Sequence, residues 1–190
     1  VDKPGKKDTL MWKLDFLLSG DGGKGGLPKW MRPSKVYRSM MLMENRDNGS
    51  TFEGATTTED AFRGGRKKGI ALDEYAAFPN GDDYKALAAT QHATDCRVFV
   101  STPKGASGAY YDVMHTPSSI KKIVLDWNTS KKGKLEILDK DYPFPASYKH
   151  VLDDKVRSPY YDLECKRPGA TPQTIAQELD RDYGGSDYQI

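Results

Sequence analysis

The stretch GIALDEYAAF, Gly69 to Phe78, runs through small and apolar residues into two adjacent carboxylates, Asp73 and Glu74, and then returns to apolar side chains. Gly69 to Leu72, a short apolar run bounded by glycine and charge, reads as a buried strand of a parallel sheet. Outward from it, Tyr84 to His92 (YKALAATQH) reads as a helix and Arg97 to Val100 (RVFV) as a second buried strand. Gly108 to Met114 reads as a further helix and Ile120 to Trp127 (IKKIVLDW) as a third strand. Alternating strands and helices imply right-handed crossovers and an α/β fold around a mainly parallel central sheet.

In an open parallel sheet, ligands gather at the carboxyl ends of the strands, where Asp73 and Glu74 fall. Two ionised carboxylates side by side repel each other, and a strand tip is a costly place for them unless a cation or a reacting water uses them. In a magnesium-nucleotide site Asp73 would hold the metal, commonly through water. Glu74 would orient and deprotonate the water that attacks the γ-phosphate. Strand alternation sends neighbours to opposite faces, so the strand must loosen there. The segment VFVSTPKG puts Ser101 and Thr102 at the same sheet edge one crossover later, where hydroxyls could sense the same phosphate. Plainer readings stand beside these: solvated acids at a strand end, and a Ser-Thr-Pro turn that only ends a strand.

The flanks are organised differently. Thr9 to Leu18 (TLMWKLDFLL) has helical spacing after Asp8, a candidate N-cap. SGDGGKGG lacks the Ser or Thr that follows the lysine of a phosphate-binding loop, and it reads as a flexible linker. In LPKWMRP, Trp30 between two prolines reads as an anchored turn. Val36 to Glu44 and Ser50 to Ala55 read as an antiparallel hairpin, with Asn48-Gly49 supplying the positive φ angles of its turn. TTTEDAFRGGRKK is a polar loop carrying Arg63, Arg66, Lys67 and Lys68. Ser147 to Val156, Pro159 to Lys166 and Pro172 to Asp180 read as three short helices, and DYGGSDYQI as the start of a linker.

The 190 residues are 37% hydrophobic and 29% charged, which suits one compact domain with generous loops rather than a disordered chain. With 29 Lys plus Arg against 27 Asp plus Glu, net charge gives no signal for nucleic acid, and any such contact must use local runs. Candidate runs are Lys3 with Lys6 and Lys7, Arg63 to Lys68, Lys121-Lys122 and Lys131 to Lys134, though such a run is more often a solvated face. The 11 tyrosines form no regular ladder for stacking single-stranded bases. Cys96 and Cys165 lie far apart without ligand spacing and read as ordinary buried thiols of a reducing compartment. His92, His115 and His150 have no partner at metal-ligand spacing, and no serine sits in a GxSxG context. No apolar run approaches the roughly 20 residues of a membrane helix, and the N-terminus has no signal-peptide core, so a soluble chain is expected.

Taken in order, several segments resemble the large terminase subunits of tailed bacteriophages, the motors that pump viral DNA into procapsids. RGGRKKGIALDEYAAF is similar to the family's Walker B region, and STPKGASGAYYDVMH to its coupling motif with the helix that follows. DTLMWKLDFLL with LPKWMRP, NRDNGSTFEGAT, LDWNTSKKGKLEIL and SPYYDLECKRPGATPQTIAQELDRDYGGS resemble further family segments, so the likeness covers nearly the whole chain.

The resemblance implies a P-loop NTPase (ASCE) type of sheet, with an N-terminal β-hairpin and a C-terminal helical subdomain. It makes Asp73 the magnesium carboxylate, Glu74 the catalytic base, and Ser101-Thr102-Pro103 the segment that couples hydrolysis to movement. It places Arg63 or Arg66, with Arg63 favoured, where some members carry an arginine that reaches a neighbouring subunit's phosphate. ATP and Mg2+ are the implied cofactors. The implied partners are double-stranded DNA bound without sequence preference, a portal protein, a small terminase subunit and other copies in a homo-oligomeric ring, in the host cytoplasm at the procapsid portal. The departure from the pattern is that no GxxxxGK[ST] or close variant occurs. The chain is therefore expected to be a piece of a longer protein: residues 1–146 the core of an ATPase domain lacking its phosphate loop, 147–183 a helical subdomain, and 184–190 the start of a linker to a nuclease domain. Such a piece alone should be a poor ATPase. Two other readings remain: a binding or assembly module without chemistry, and a metal-dependent nuclease using Asp73, Glu74 and a further acid, for which Asp126 is the candidate.

Overall fold

The computed structural model describes residues 9–19, 26–56, 65–79, 81–129, 147–149, 151–152 and 154–187. The chain divides into two compact units, Val1–Ala61 and Phe62–Ile190. The fold is mixed α/β with small sheets.

In the first unit, helix α1 spans Leu10–Ser19. The Thr9 hydroxyl accepts the Trp12 amide at 3.1 Å, and the Thr9 carbonyl accepts the Lys13 amide at 3.0 Å, so Thr9 acts as the N-cap. Asp8, the expected cap, lies outside the described residues. A three-stranded antiparallel meander follows, β1 Val36–Ser39, β2 Leu42–Asn45 and β3 Ser50–Glu53. The expected hairpin is thus one strand short. The apolar run from Val36 reverses at Met40-Met41, where Met41 takes a φ of 59° that a continuous strand cannot contain. At the second turn only Gly49 is left-handed, with φ 72°, while its amide and that of Asn48 both donate to the Asn45 carbonyl. The turn therefore needs one positive φ, supplied by the glycine, and not two. Asp15 of α1 accepts both Nε and Nη2 of Arg38, at 2.8 and 2.6 Å, which ties the helix to β1. Met11 and Met43 are buried. Trp30, expected as an anchor, is 83% exposed on a single 3-10 turn, Lys29–Met31. The linker expected over 20–25 lies outside the described residues.

In the second unit, β4 Ile70–Leu72 pairs in parallel with β5 Arg97–Phe99, connected through helix α2, Asp82–Gln91, and followed by helix α3, Ala109–His115. This β-α-β-α succession matches the sequence expectation closely. The core beneath it is built from Leu72, Tyr75, Ala86, Ala109 and Tyr110, with Phe78, Leu87, Phe99 and Tyr183 packed against them. Tyr75, wholly buried, meets Phe78 and Tyr110 edge to face and lies tilted against Phe99. The other face of the pair is open among the described residues: Ala71, Val98 and Val100 are exposed, so the strands expected to be buried on both faces are buried on one.

The expected third strand does not form. Residues 120–126 join no sheet, and Ile123 and Leu125 stand 69% and 84% exposed before a 3-10 turn at Trp127–Thr129. An alternating apolar segment becomes a strand only where a neighbour accepts its ladder, and none among the described residues does so. The helix expected over Ser147 to Val156 is likewise replaced, within its described part, by a minimal hairpin of β6 Val151–Leu152 and β7 Lys155–Val156, with Asp154 at φ 61°. Val151 and Val156 favour strand over helix because branching at Cβ restricts χ1 against a helical turn. Two helices then form as expected. α4, Pro159–Cys165, is capped by buried Ser158 with Pro159 at its first position. α5, Pro172–Ile175, opens on a Thr171–Thr174 capping box and passes into a π-helical turn, Ala176–Asp180.

Candidate functional site

The parallel ladder continues past the ends of its two strands. The Leu72 carbonyl accepts the Val100 amide at 2.9 Å, and the Val100 carbonyl accepts the Tyr75 amide at 3.1 Å. Asp73 and Glu74 are the two residues between those bonds, so they stand out of the ladder at the tip of β4. The strand loosens there by means of Glu74, whose φ of 51° and ψ of 38° are left-handed. A non-glycine residue in that region costs free energy, which the bonds on either side of it offset. Asp73 Oδ1 accepts the Glu74 amide at 3.1 Å, and both side chains are exposed.

Ser101 lies across from this turn. Its hydroxyl accepts the Ala76 amide at 3.1 Å, and its carbonyl accepts the Tyr110 hydroxyl at 3.0 Å. An accepting serine keeps its own O–H for another partner. The tips of β4 and β5 thus bring Asp73, Glu74 and Ser101 to one edge of the pair. The Thr102 hydroxyl is engaged elsewhere: it accepts Gln177 Nε2 at 3.1 Å and lies 3.5 Å from Glu178 Oε1. Pro103 is buried, and the Gly105 amide donates to Ser186 Oγ at 3.1 Å. Ser186 is wholly buried and donates in turn to the Tyr183 carbonyl at 2.9 Å. Residues 184–187, expected as the start of a linker, are therefore packed against the loop that follows β5.

Arg66 is not part of this edge. Arg66 is exposed and precedes β4, and the neighbouring Lys67 amide donates to the carbonyl of Ala93 ahead of β5, at 2.8 Å. Arg66 therefore stands where the strands begin, away from Asp73 and Glu74. Arg63, with the basic residues at 3, 6, 7 and 131–134 and His150, lies outside the described residues. Asp126 is ion-paired to Arg181, Nε to Oδ1 at 2.9 Å, and occupies no strand tip because the third strand is absent. Of the two cysteines read as buried thiols, Cys96 is exposed; Cys165 is half-buried, and burial raises its thiol pKa.

Among the described residues, no three His, Cys, Asp or Glu side chains cluster to hold a metal ion by themselves. That donor set still fits Mg2+, which binds through one or two carboxylates, keeps several waters and takes phosphate oxygens for the rest. Asp73 has one oxygen on the Glu74 amide and the other at the surface. Gln177, Glu178 and Ser186 were not singled out in the sequence. They lie 75 to 81 positions beyond their partners in the β5 loop, and no local pattern marks them.

A scan against protein-family models finds none that matches the chain, and a search of the curated proteins finds no match either. Among the described residues, no helix is long and apolar enough to cross a membrane.

Proposed function

We propose that the chain carries part of an ATP-hydrolysing motor of the large-terminase kind, which drives double-stranded DNA into procapsids. The observation that carries this reading is the bracketing of Asp73 and Glu74 between the Leu72–Val100 and Val100–Tyr75 hydrogen bonds, with the Ser101 hydroxyl fastened to the same turn. On this reading the parallel pair belongs to a P-loop NTPase (ASCE) sheet, and the nucleotide's terminal phosphate lies over the two strand tips.

Asp73 would hold Mg2+ by its free carboxylate oxygen, and the metal would neutralise charge on the phosphates. Glu74, exposed beside it, accepts the proton of the attacking water. The Ser101 O–H donates to the phosphate. Arg63 or Arg66 serves a neighbouring copy in a ring, a role that agrees with Arg66 lying away from the acids of its own chain. DNA, portal and small-subunit contacts belong to the same proposal.

The test compares ATP hydrolysis and Mg2+-dependent DNA cleavage by this chain, and by a version extended upstream through a phosphate-binding loop, each with and without Glu74→Gln. Hydrolysis by the extended version alone, abolished by Glu74→Gln, is expected. DNA cleavage by the unextended chain would replace this reading with the nuclease one.

A further inference from the structure

The loop after β5 is held at both ends by a segment far away in sequence. At its start the Thr102 hydroxyl accepts Gln177 Nε2 at 3.1 Å, with the Glu178 carboxylate 3.5 Å away. At its end the Gly105 amide meets buried Ser186, whose accepting and donating capacities are both used. Gly105 has φ 77°, which a larger residue adopts only with strain, and a Cβ there would sit a tight 3.2 Å from the Asp187 carboxylate. The segment closes on itself through Gln173 Nε2, which donates to the Asp187 carbonyl at 2.9 Å.

The segment is irregular at its middle and anchored beside it: Asp180 accepts Lys155 Nζ and the Tyr161 hydroxyl, each at 2.8 Å, and Arg181 Nε donates to Asp126 at 2.9 Å. Its middle is the π-helical turn Ala176–Asp180, ended by Arg181 at φ 51° and closed by an Asp182 amide to Ala176 carbonyl bond of 2.8 Å. Such turns are rare, occur mostly as single-turn bulges at α-helices and are frequent at functional sites. The Glu178 contact is also long for an O–H···O bond, at the outer edge of what counts as one.

From this geometry we infer that residues 173–187 are a clasp on the Thr102–Gly105 loop, and that Glu178 is the positioning residue an anion arriving at the tip of β5 must displace. A threonine has one hydroxyl proton, so Thr102 cannot donate to a phosphate oxygen while it faces Glu178. The two negative groups would also repel each other across that hydroxyl. Occupation of the tip and closure of the clasp are therefore alternatives. Release of Glu178 loosens Gln177 on the same turn and weakens the hold on the loop as far as Ser186, while the ties of Asp180 and Arg181 remain. The identity of the anion as a nucleotide's terminal phosphate rests on the function proposed above; the antagonism between charge at the tip and the clasp does not.

The test places a fixed anion at the tip. Hydrogen exchange is followed in the full chain for the wild type, Thr102→Glu, the neutral near-isostere Thr102→Gln, and Thr102→Glu combined with Glu178→Gln. Thr102→Asp repeats the measurement should the longer side chain prevent folding. Amides of 176–187 are expected to exchange about tenfold faster in Thr102→Glu, with β4 and β5 unchanged and with the rate largely restored by Glu178→Gln. Equal opening by Thr102→Gln and Thr102→Glu, or no opening by either acid, overturns the clasp. Addition of Mg-ATP to the version extended upstream through a phosphate-binding loop is expected to open the same amides. No response to Mg-ATP, with the charge-dependent opening intact, keeps the clasp and removes the nucleotide as its anion.

Discussion

The Ser101 hydroxyl accepts the backbone amide of Ala76 at 3.1 Å, so the tip of β5 is fastened to the turn that presents Glu74. A side chain thereby takes over where the backbone ladder between the strands stops. Ser101→Ala leaves the half-buried Ala76 amide without this acceptor and is expected to cost about 1–2 kcal/mol. A lowered urea midpoint with an unchanged slope would show it. Ser101→Thr, which keeps the acceptor, should recover most of the loss.

Glu74 occupies a left-handed conformation, with φ 51°. Glycine relieves that strain but adds freedom to the unfolded chain, and the balance favours Glu74→Gly by about 0.5 kcal/mol. Glu74→Val, branched at Cβ, should lose about 1 kcal/mol or more at the same φ. If Glu74 is the base, the stabilised glycine variant is inactive in the extended ATPase, so stability and activity move in opposite directions. Chemical denaturation beside phosphate-release assays reads both.

Tyr75 is wholly buried and its hydroxyl donates to the Asp83 carbonyl. Burial, and then the charge of Asp83, push its pKa well above the usual phenol value. The folded state thus keeps a proton that the unfolded state gives up. The associated stability is fully present below about pH 10 and is lost as pH climbs from there toward the folded value. Urea midpoints should therefore fall between about pH 9 and pH 11. Tyr75→Phe should be about 1 kcal/mol less stable at neutral pH and show a shallower alkaline decline.

Gly108 precedes α3 with φ 92°, and a Cβ there would come within 2.8 Å of Asp83 Oδ2. That oxygen cannot simply swing away, because it accepts the Ala109 amide at 2.6 Å while Oδ1 accepts the Tyr84 amide at 2.9 Å. Gly108→Ala is expected to destabilise by about 2–3 kcal/mol, read as a lower melting temperature. Asp83→Ala gives up those two bonds itself, but combined with Gly108→Ala the losses should be less than additive, because the clash goes while the strained φ stays.

What could be read from the sequence was local. The run from Gly69 to Met114 gave β4, α2, β5 and α3 in order, because strand runs, helical spacing and glycine boundaries act over a few neighbours. Pro172 and Pro159 marked the starts of α5 and α4 for the same reason. The position of Asp73 and Glu74 after an apolar run was legible too. The loosening of the strand there followed from side-chain alternation, but the bonds that set it, Val100 to Leu72 and Tyr75 across the ladder, did not.

The segments that misled were those whose conformation needs a partner. Ile120 to Trp127 has a strand's alternation yet finds no ladder, and Val36 to Glu44 folds back on itself at Met41. By itself the sequence determined which residues prefer strand, helix or turn, and that an acidic pair would follow the first parallel strand, because those preferences lie within a few residues of chain. Only tertiary structure decided which strands pair, that Ser101 meets Ala76, and that Gln177 and Ser186 close on Thr102 and Gly105. Contacts across 75 or more residues are set by which polar groups must be satisfied when a core closes, and no local pattern carries that information.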